Sequence, residues 1–196
     1  MKKILSLIVA LAMVLSCTAA LAEDMTVVVM PKLVGIPYFN ASETGALAAG
    51  EELGINVIYT GPTTGDAALQ VQMIEDLLID GIDALAIAPN DPDSVSPALQ
   101  KCQADGVLVM DWDTTANGDD VTYSIQQIDN KVLGEMLFDL LVEAMGTDEG
   151  EYAIVTGYLT AANLNTWIDF GKAYAAEKYP NLTLVTDPVP SDESAQ

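Results

Sequence analysis

The 196-residue chain is strongly acidic, with a formal net charge of -22, no histidine and only seven cationic residues, all of them lysine. The missing histidine and arginine exclude Ser-His-Asp catalysis, histidine-rich zinc sites and arginine forks for phosphate. The charge excludes nucleic acid as a partner, because the protein would repel the phosphate backbone.

The first 22 residues have the composition of a signal peptide. Lys2 and Lys3 precede an apolar run, and Ala20-Leu21-Ala22 fits an A-x-A cleavage site. The apolar run is shorter than the roughly 20 residues that a membrane span needs. We predict that residues 1–22 are removed and that the protein is exported to the periplasm or the cell surface. Lipoprotein processing at Cys17 is the less favoured alternative.

From Met25 onward, a unit of strand and helix repeats. Three helix-like stretches end at Gly54, Gly81 and Gly106, which lie 27 and 25 residues apart, and each passes directly into an apolar run. Glycine suits the position after a helix, apolar strands suit a sheet covered on both faces, and the period fits a βα unit. Right-handed crossovers predict a doubly wound parallel sheet.

The predicted elements of this first part are strands at 26–30, 55–60, 83–88, 107–111 and 121–125, and helices at about 39–53, 66–80 and 94–105. Asp66 and Ser94 are the predicted caps of the last two helices, since short polar side chains accept hydrogen bonds from the first helical N–H groups.

After Ile125 the pattern restarts. Asp129 is predicted to cap a helix that reaches about Met145, followed by a strand at 152–156, a helix at 163–178 and a strand at 182–186. The chain thus divides into a predicted N-terminal α/β lobe at 25–127 and a partial C-terminal α/β lobe at 128–196.

The second lobe has a single strand–helix–strand passage. Such a unit buries too little apolar area to offset the entropy of ordering it. The helix-start signal at Ser191 is followed by only five residues. We therefore expect the chain to be an N-terminal fragment whose cleft lacks one wall.

Ligands in open parallel sheets bind beyond the carboxyl ends of the strands. The candidate ligand-binding residues gather at these positions and at the start of a helix in the second lobe: Lys32, Tyr38, Phe39, Asn90, Asp111, Trp112, Asp113 and Asn163. Carboxylates, amides and lysine bond ligand hydroxyls, while aromatic faces cover apolar C–H patches. This mixture favours a polyhydroxylated ligand.

An enzyme is the less favoured hypothesis. Asp111 and Asp113 lie two residues apart on one segment, so they would not flank a scissile bond from opposite sides. The loops for nucleotide binding and serine hydrolysis are missing from the sequence, and Asp119-Asp120 lacks EF-hand spacing. We predict no catalytic residue, no metal site and no cofactor, and keep a secreted α/β enzyme only as a remote alternative.

Several short motifs resemble those of the type I periplasmic solute-binding proteins. They are Pro31-Lys32-Leu33-Val34-Gly35, Tyr38-Phe39, Gly61-Pro62-Thr63, Gly81-Ile82-Asp83-Ala84, Trp112-Asp113 and Asn165-Thr166-Trp167. The likeness covers Met25 to the C-terminus and is to the branch of the rhamnose-binding and autoinducer-2-binding (LsrB-like) proteins. It implies two Rossmann-like lobes with parallel sheets, a ligand between them, and delivery to an ABC permease in the cytoplasmic membrane.

The resemblance also implies roles for single residues. In the autoinducer-2 binders the ligand is held by the lysine that matches Lys32, by the aspartate that matches Asp113, and by an Asp-Gln pair. This chain has Asn163-Leu164 in place of that pair, which removes a carboxylate and an amide and favours a neutral sugar such as rhamnose or a related pentose or hexose. We expect a monomeric importer component, with autoinducer-2 binding or a chemosensory role as alternatives.

Overall fold

The computed structural model describes residues 25–191. The predicted signal peptide, with its alternative processing site at Cys17, lies outside the described residues. In chain order the elements are β1 (Thr26–Met30), α1 (Pro37–Leu53), β2 (Asn56–Tyr59), α2 (Ala67–Asp80), β3 (Ala84–Ile87), α3 (Pro92–Ala104), β4 (Leu108–Trp112), β5 (Tyr123–Ile125), α4 (Asn130–Met145), β6 (Glu149–Tyr152), β7 (Val155–Thr156), α5 (Ala162–Lys178), β8 (Asn181–Leu184) and β9 (Val189–Pro190). Within residues 25–191, no helix has both the length and the apolarity needed to cross a membrane.

The first five strands form one parallel sheet in the order β2-β1-β3-β4-β5. Val28, Leu85 and Val109 on its central strands are fully buried, and α2 and α3 pack against them through Ile74 and Leu99. This confirms the predicted α/β parallel sheet. The strand order reverses between β1 and β3, and ligands of open α/β sheets bind beyond the strand ends at such a switch point.

Helix caps agree with the sequence prediction at two of three positions. Asp66 accepts hydrogen bonds from two backbone N–H groups of α2, and Asp129 accepts one from α4. Ser94 was predicted to cap α3, and this is wrong. The helix begins two residues earlier at Pro92, whose fixed φ suits the first helical position, and Asp91 accepts a hydrogen bond from the Ser94 N–H at 2.8 Å.

We call residues 25–127 the first lobe and residues 128–191 the second lobe; the boundary itself stays a prediction. In the second lobe, β6 pairs with β8 and β7 pairs with β9, both in parallel. The single strand predicted at 152–156 is therefore wrong. The sequence of an apolar run does not show that its two ends pair with different strands. Here the partner strands β8 and β9 are separated by residues 185–188.

Two glycines bring the helices of the second lobe into close contact. A β-carbon on Gly134 of α4 would lie 2.5 Å from the carbonyl oxygen of Trp167 in α5. One on Gly171 would lie 2.8 Å from the carbonyl oxygen of Gly134. The helices thus meet backbone to backbone, and this fixes the position of the start of α5, which carries Asn163.

Candidate functional site between the lobes

Three of the predicted site residues meet at the switch point, although they lie on distant parts of the chain. Lys32 follows β1 and is only 6% exposed. Its Nζ donates a hydrogen bond to Oδ1 of Asn163 at 2.7 Å and lies 3.3 Å from Oδ2 of Asp113. Asn163, at the start of α5, donates from Nδ2 to the same Asp113 oxygen at 3.3 Å. The contact joins both lobes.

The Asp113 carboxylate is the centre of this cluster. Besides Lys32 and Asn163, it accepts hydrogen bonds from the Tyr38 hydroxyl at 2.9 Å, from Nε2 of Gln127 at 3.0 Å and from the Thr114 hydroxyl at 3.2 Å. Its φ of 64° lies in the left-handed region, which non-glycine residues seldom adopt and which is concentrated at functional sites. The surrounding donors hold the carboxylate in one orientation.

The Tyr38 hydroxyl is kept in its protonated, donating form. Partial burial, and then the negative charge and hydrogen bond of Asp113, raise the pKa of this phenol well above its ordinary value of 10.0. The residue can therefore donate to Asp113 across the whole physiological pH range.

Aromatic side chains form one wall of the site. Tyr38 and Phe39 stand in the first turn of α1, which starts at Pro37. The Phe39 ring packs edge-on against Tyr38, with ring centroids 5.0 Å apart, and against Trp112, with ring centroids 5.7 Å apart. Trp112 donates from Nε1 to the Ala86 carbonyl and so lies behind Phe39 as its support.

Asn90 and Asp111 were predicted to contact a ligand, and the structure places both behind the cleft. Asp111 is fully buried, and its carboxylate accepts hydrogen bonds from the Ala116 N–H and the Ser124 hydroxyl. Asn90 donates from Nδ2 to the Lys32 carbonyl at 2.7 Å. The carboxylate of Asp111 and the Nδ2 group of Asn90 bond neighbouring protein segments, as buried polar groups must, and so support the site from behind.

Two glutamines of the site were missed from the sequence. Gln70 on α2 is fully buried and donates to the carbonyls of Pro31 and Ala88, which joins the ends of β1 and β3. A polar residue at an inward position of an apolar helix face was the available signal. Gln127 follows β5, so the strand-end rule used for the other residues would have found it.

A cavity of about 580 Å³ adjoins the cluster, within the usual size of small-molecule sites. The first lobe lines it with Lys32, Tyr38 and Asp113 as well as Phe39 and Ile36. Apart from Gln127 and Asn163, the remaining lining is apolar: Ile128, Leu133, Leu164 and Trp167. The charged groups of the cavity therefore come from the first lobe, and apolar side chains come from both lobes.

A second cavity, of about 480 Å³, lies inside the second lobe between α4, α5 and the strands β6 and β7. Leu164 and Trp167 separate it from the cleft. Its lining is largely apolar and lacks charged side chains, so it has few groups to orient a ligand. In the described part of the chain, no group of three histidine, cysteine or acidic residues is placed to hold a metal ion.

Comparisons with known proteins agree on one family. The family model for the periplasmic binding protein domain matches residues 27–196. The ribose import binding protein RbsB of Salmonella typhimurium is 28% identical over 184 residues, which are 91% of this chain and 60% of that protein. The chain thus spans about 60% of the length of the curated relatives that it matches first.

Solved structures give the same result at the level of the fold. A solute-binding protein of an ABC transporter from Clostridium phytofermentas, with bound L-rhamnose, has a TM-score of 0.83 and 27% identity, and the match covers 88% of this chain and 54% of that one. LsrB from Clostridium saccharobutylicum, in complex with AI-2, has a TM-score of 0.82 and 30% identity, with 87% and 55% of the two chains covered.

Proposed function

Since the chain belongs to the periplasmic binding protein domain family, we propose that it is the exported solute-binding component of an ABC importer and captures a small neutral sugar between its lobes. The observation that carries this proposal is the buried contact of Lys32, Asp113 and Asn163 beside a cavity of about 580 Å³. The family is one of binding proteins, and capture needs no reaction.

The charges of the site favour a neutral ligand. Lys32 and Asp113 compensate each other at 3.3 Å, and both are nearly buried. A charged ligand would leave one charge in the cleft without a partner, and an unpaired buried charge is costly. Neutral hydroxyl groups can instead accept from the ammonium group or the amide and donate to the carboxylate.

The mixed lining of the cavity favours a sugar that has both a polar edge and an apolar end. Lys32, Tyr38 and Asp113 offer polar groups, while Leu133 and Leu164 offer no hydrogen bond. A 6-deoxyhexose has a methyl group where other hexoses have a hydroxymethyl group. The solute-binding protein from Clostridium phytofermentas holds such a sugar, L-rhamnose.

Autoinducer-2 is the second candidate ligand, because the pairing of Lys32 with Asp113 agrees with what the resemblance to its binders implies. Asn163 and Leu164 oppose it, since the leucine cannot bond a ligand hydroxyl and a polar group left unpaired in a cleft is penalised. A chemosensory role would use the same site. Uptake of labelled ligand by a strain that lacks the gene separates transport from sensing.

The test is calorimetry of the full-length mature protein with L-rhamnose and L-mannose, which differ only in a methyl or a hydroxymethyl group. We expect L-rhamnose to bind about tenfold more tightly. Asp113→Ala should weaken binding by about 1.5–3 kcal/mol, the scale of a hydrogen bond to a charged group. The Asp113→Ala variant should still unfold cooperatively. Tight autoinducer-2 binding with both sugars inert, or unchanged affinity in Asp113→Ala, contradicts the proposal.

The ABC permease partner, the monomeric state and export belong to the same proposal. Mass spectrometry of the secreted protein tests the processing. An N-terminus at Glu23 supports cleavage after Ala22, and an acylated Cys17 supports the lipoprotein alternative. Light scattering of the purified protein tests the monomer.

A further inference from the structure

A glycine makes a second contact between the lobes, away from the polar cluster. Gly65 lies in the turn before α2, and Tyr158 lies in the loop between β7 and α5. A β-carbon on Gly65 would lie 2.5 Å from Cδ2 and 2.8 Å from Cζ of Tyr158, and its three nearest heavy atoms all belong to that ring. The ring therefore lies directly on the Gly65 backbone.

The backbone conformation does not explain the glycine at this position. Gly54 and Gly81 have φ values of 67° and 82°, which favour glycine, whereas the φ of Gly65 lies outside the left-handed region. A positive φ is therefore not what requires glycine at this position. What requires a residue without a side chain here is the close approach of the Tyr158 ring.

The Tyr158 ring and the sugar cleft are separate places in the fold. Tyr158 does not line the cavity of about 580 Å³; together with Thr64, Gly65 and Thr160 it lines another of about 410 Å³, beside the starts of α2 and α3. Its loop is shaped by a hydrogen bond from the Ala161 N–H to the Tyr158 carbonyl at 2.9 Å.

The lobes are thus held together at two separated points. One is the Lys32–Asn163 hydrogen bond in the cleft, and the other is the packing of Tyr158 on Gly65. A single contact leaves the second lobe free to turn about it, whereas two fix its orientation over the cleft. The apparent affinity of a binding protein rises with the fraction of molecules in the binding-competent arrangement.

We propose that Tyr158 seated on Gly65 is a latch between the lobes, which holds the second lobe over the cleft and strengthens sugar binding without touching the sugar. The aromatic ring supplies a large contact area with few rotatable bonds. Tyr158 is a positioning residue in this role. The effect of the latch on sugar affinity rests on the proposed function, whereas its effect on the arrangement of the lobes does not.

The experiment is a double-mutant cycle of Gly65→Ala and Tyr158→Ala in the full-length mature protein, measured with L-rhamnose. Gly65→Ala should weaken affinity about tenfold, mainly through faster dissociation, because the β-carbon and the ring cannot occupy one place. Tyr158→Ala should weaken it about threefold. The double variant should match Tyr158→Ala within about twofold, since without the ring the β-carbon has free space.

Gly45→Ala is the matched control. Gly45 is exposed within α1, and a β-carbon there would meet no atom within 4 Å. This variant should bind as the wild type does. Additive losses in the double variant, or wild-type affinity in Gly65→Ala, overturn the latch. A cooperative melting transition in each variant shows that the fold is retained.

Small-angle X-ray scattering without ligand keeps the test independent of the ligand. Gly65→Ala should have a larger radius of gyration than the wild type and Gly45→Ala, because its lobes open. Failure of L-rhamnose and other monosaccharides to bind the wild type or any variant would count against the proposed function. The radius of gyration would still test the latch, because that measurement needs no ligand. Identical curves for Gly65→Ala and the wild type overturn it.

Discussion

The two lobes bury their apolar residues to very different degrees. In the first lobe the central strands β1, β3 and β4 carry fully buried residues, such as Val28 and Leu85. In the second lobe the short strands leave Val155 75% exposed, and Leu140 of α4 is half exposed. Within residues 25–191, the first lobe is therefore packed around a sheet core, and the second mainly through the backbone contact of two helices.

This difference explains where the site places its charged groups. Lys32 and Asp113 extend from the ends of β1 and β4, whose strands are buried and well anchored. The second lobe contributes Asn163 and apolar side chains such as Leu164. A binding protein needs one firm wall that orients polar ligand groups, and a second that can approach and complete the contact.

Leu85→Ala, in the centre of β3, is the change with the largest expected effect. It should destabilise the first lobe by about 3 kcal/mol, because a fully buried leucine leaves a cavity. The chain has two tryptophans, Trp112 in the first lobe and Trp167 in the second. Urea unfolding of single-tryptophan variants should show a larger shift for Trp112 than for Trp167.

Val155→Ala in β7 is the matched control, since that side chain is 75% exposed, and it should change stability by less than about 0.5 kcal/mol. Equal shifts at Trp112 and Trp167 in Leu85→Ala would show that the two lobes unfold as one cooperative unit. The comparison between the lobes would then fail.

Gly134→Ala tests the second lobe in the same way. Its β-carbon would lie 2.5 Å from the Trp167 carbonyl oxygen, so the two helices must separate, and overpacking of this kind costs about 2 kcal/mol. The Trp167 transition should move to lower urea while the Trp112 transition stays. Gly45→Ala, in open space on α1, should instead be neutral or slightly stabilising, since alanine favours a helix. A Gly134→Ala protein as stable as the wild type would contradict the backbone contact.

The repeat of the first lobe made its fold predictable from the sequence. β1 was predicted at its observed bounds, and the strands after Gly54, Gly81 and Gly106 lie within one residue of their predicted bounds. The family resemblance is confirmed by the match to residues 27–196. The second lobe has no such repeat. Its strands β6 and β7 could not be separated, because pairing with different partners is a tertiary property.

The same limit applies to the site. The strand-end rule led to Lys32 and Asp113 because the position of a strand end follows from the chain pattern. It also led to Asp111, which faces its own loop, because the direction of a side chain near a strand end depends on the local backbone. The ring of Tyr158 on Gly65 joins residues 93 positions apart, and no local pattern predicts such a contact.

A cluster that joins the middle of α4 to the end of α5 should give the second lobe a component of stability that is lost in acid, with the smallest effect of the three. The carboxylate of Asp139 accepts hydrogen bonds from Tyr179 at 2.6 Å, from Lys178 at 2.9 Å and from Tyr174. The bonds from Tyr179 and then Lys178 lower the pKa of Asp139 from 3.8 to about 2. Because the folded value lies below the unfolded one, the stabilisation is present at neutral pH and is lost as the pH falls from about 4 to about 2.

The variant that isolates this effect is Asp139→Asn, compared with the wild type in urea unfolding at pH 7, 4 and 2.5. At pH 7 the Trp167 transition of the variant should have its midpoint at lower urea than that of the wild type. This difference between the two midpoints, the gap, should narrow as the pH falls, because the wild-type carboxylate becomes protonated. The gap should also shrink in high salt, since the Lys178 pair is about half exposed and is screened by ions. The Trp112 transition should be the same in both proteins at each pH, because these bonds of Asp139 go to α5 and to Tyr179 directly after it, all within the second lobe. A gap that does not change with pH would mean that the hydrogen-bond geometry, and not the charge of Asp139, stabilises this end of the second lobe.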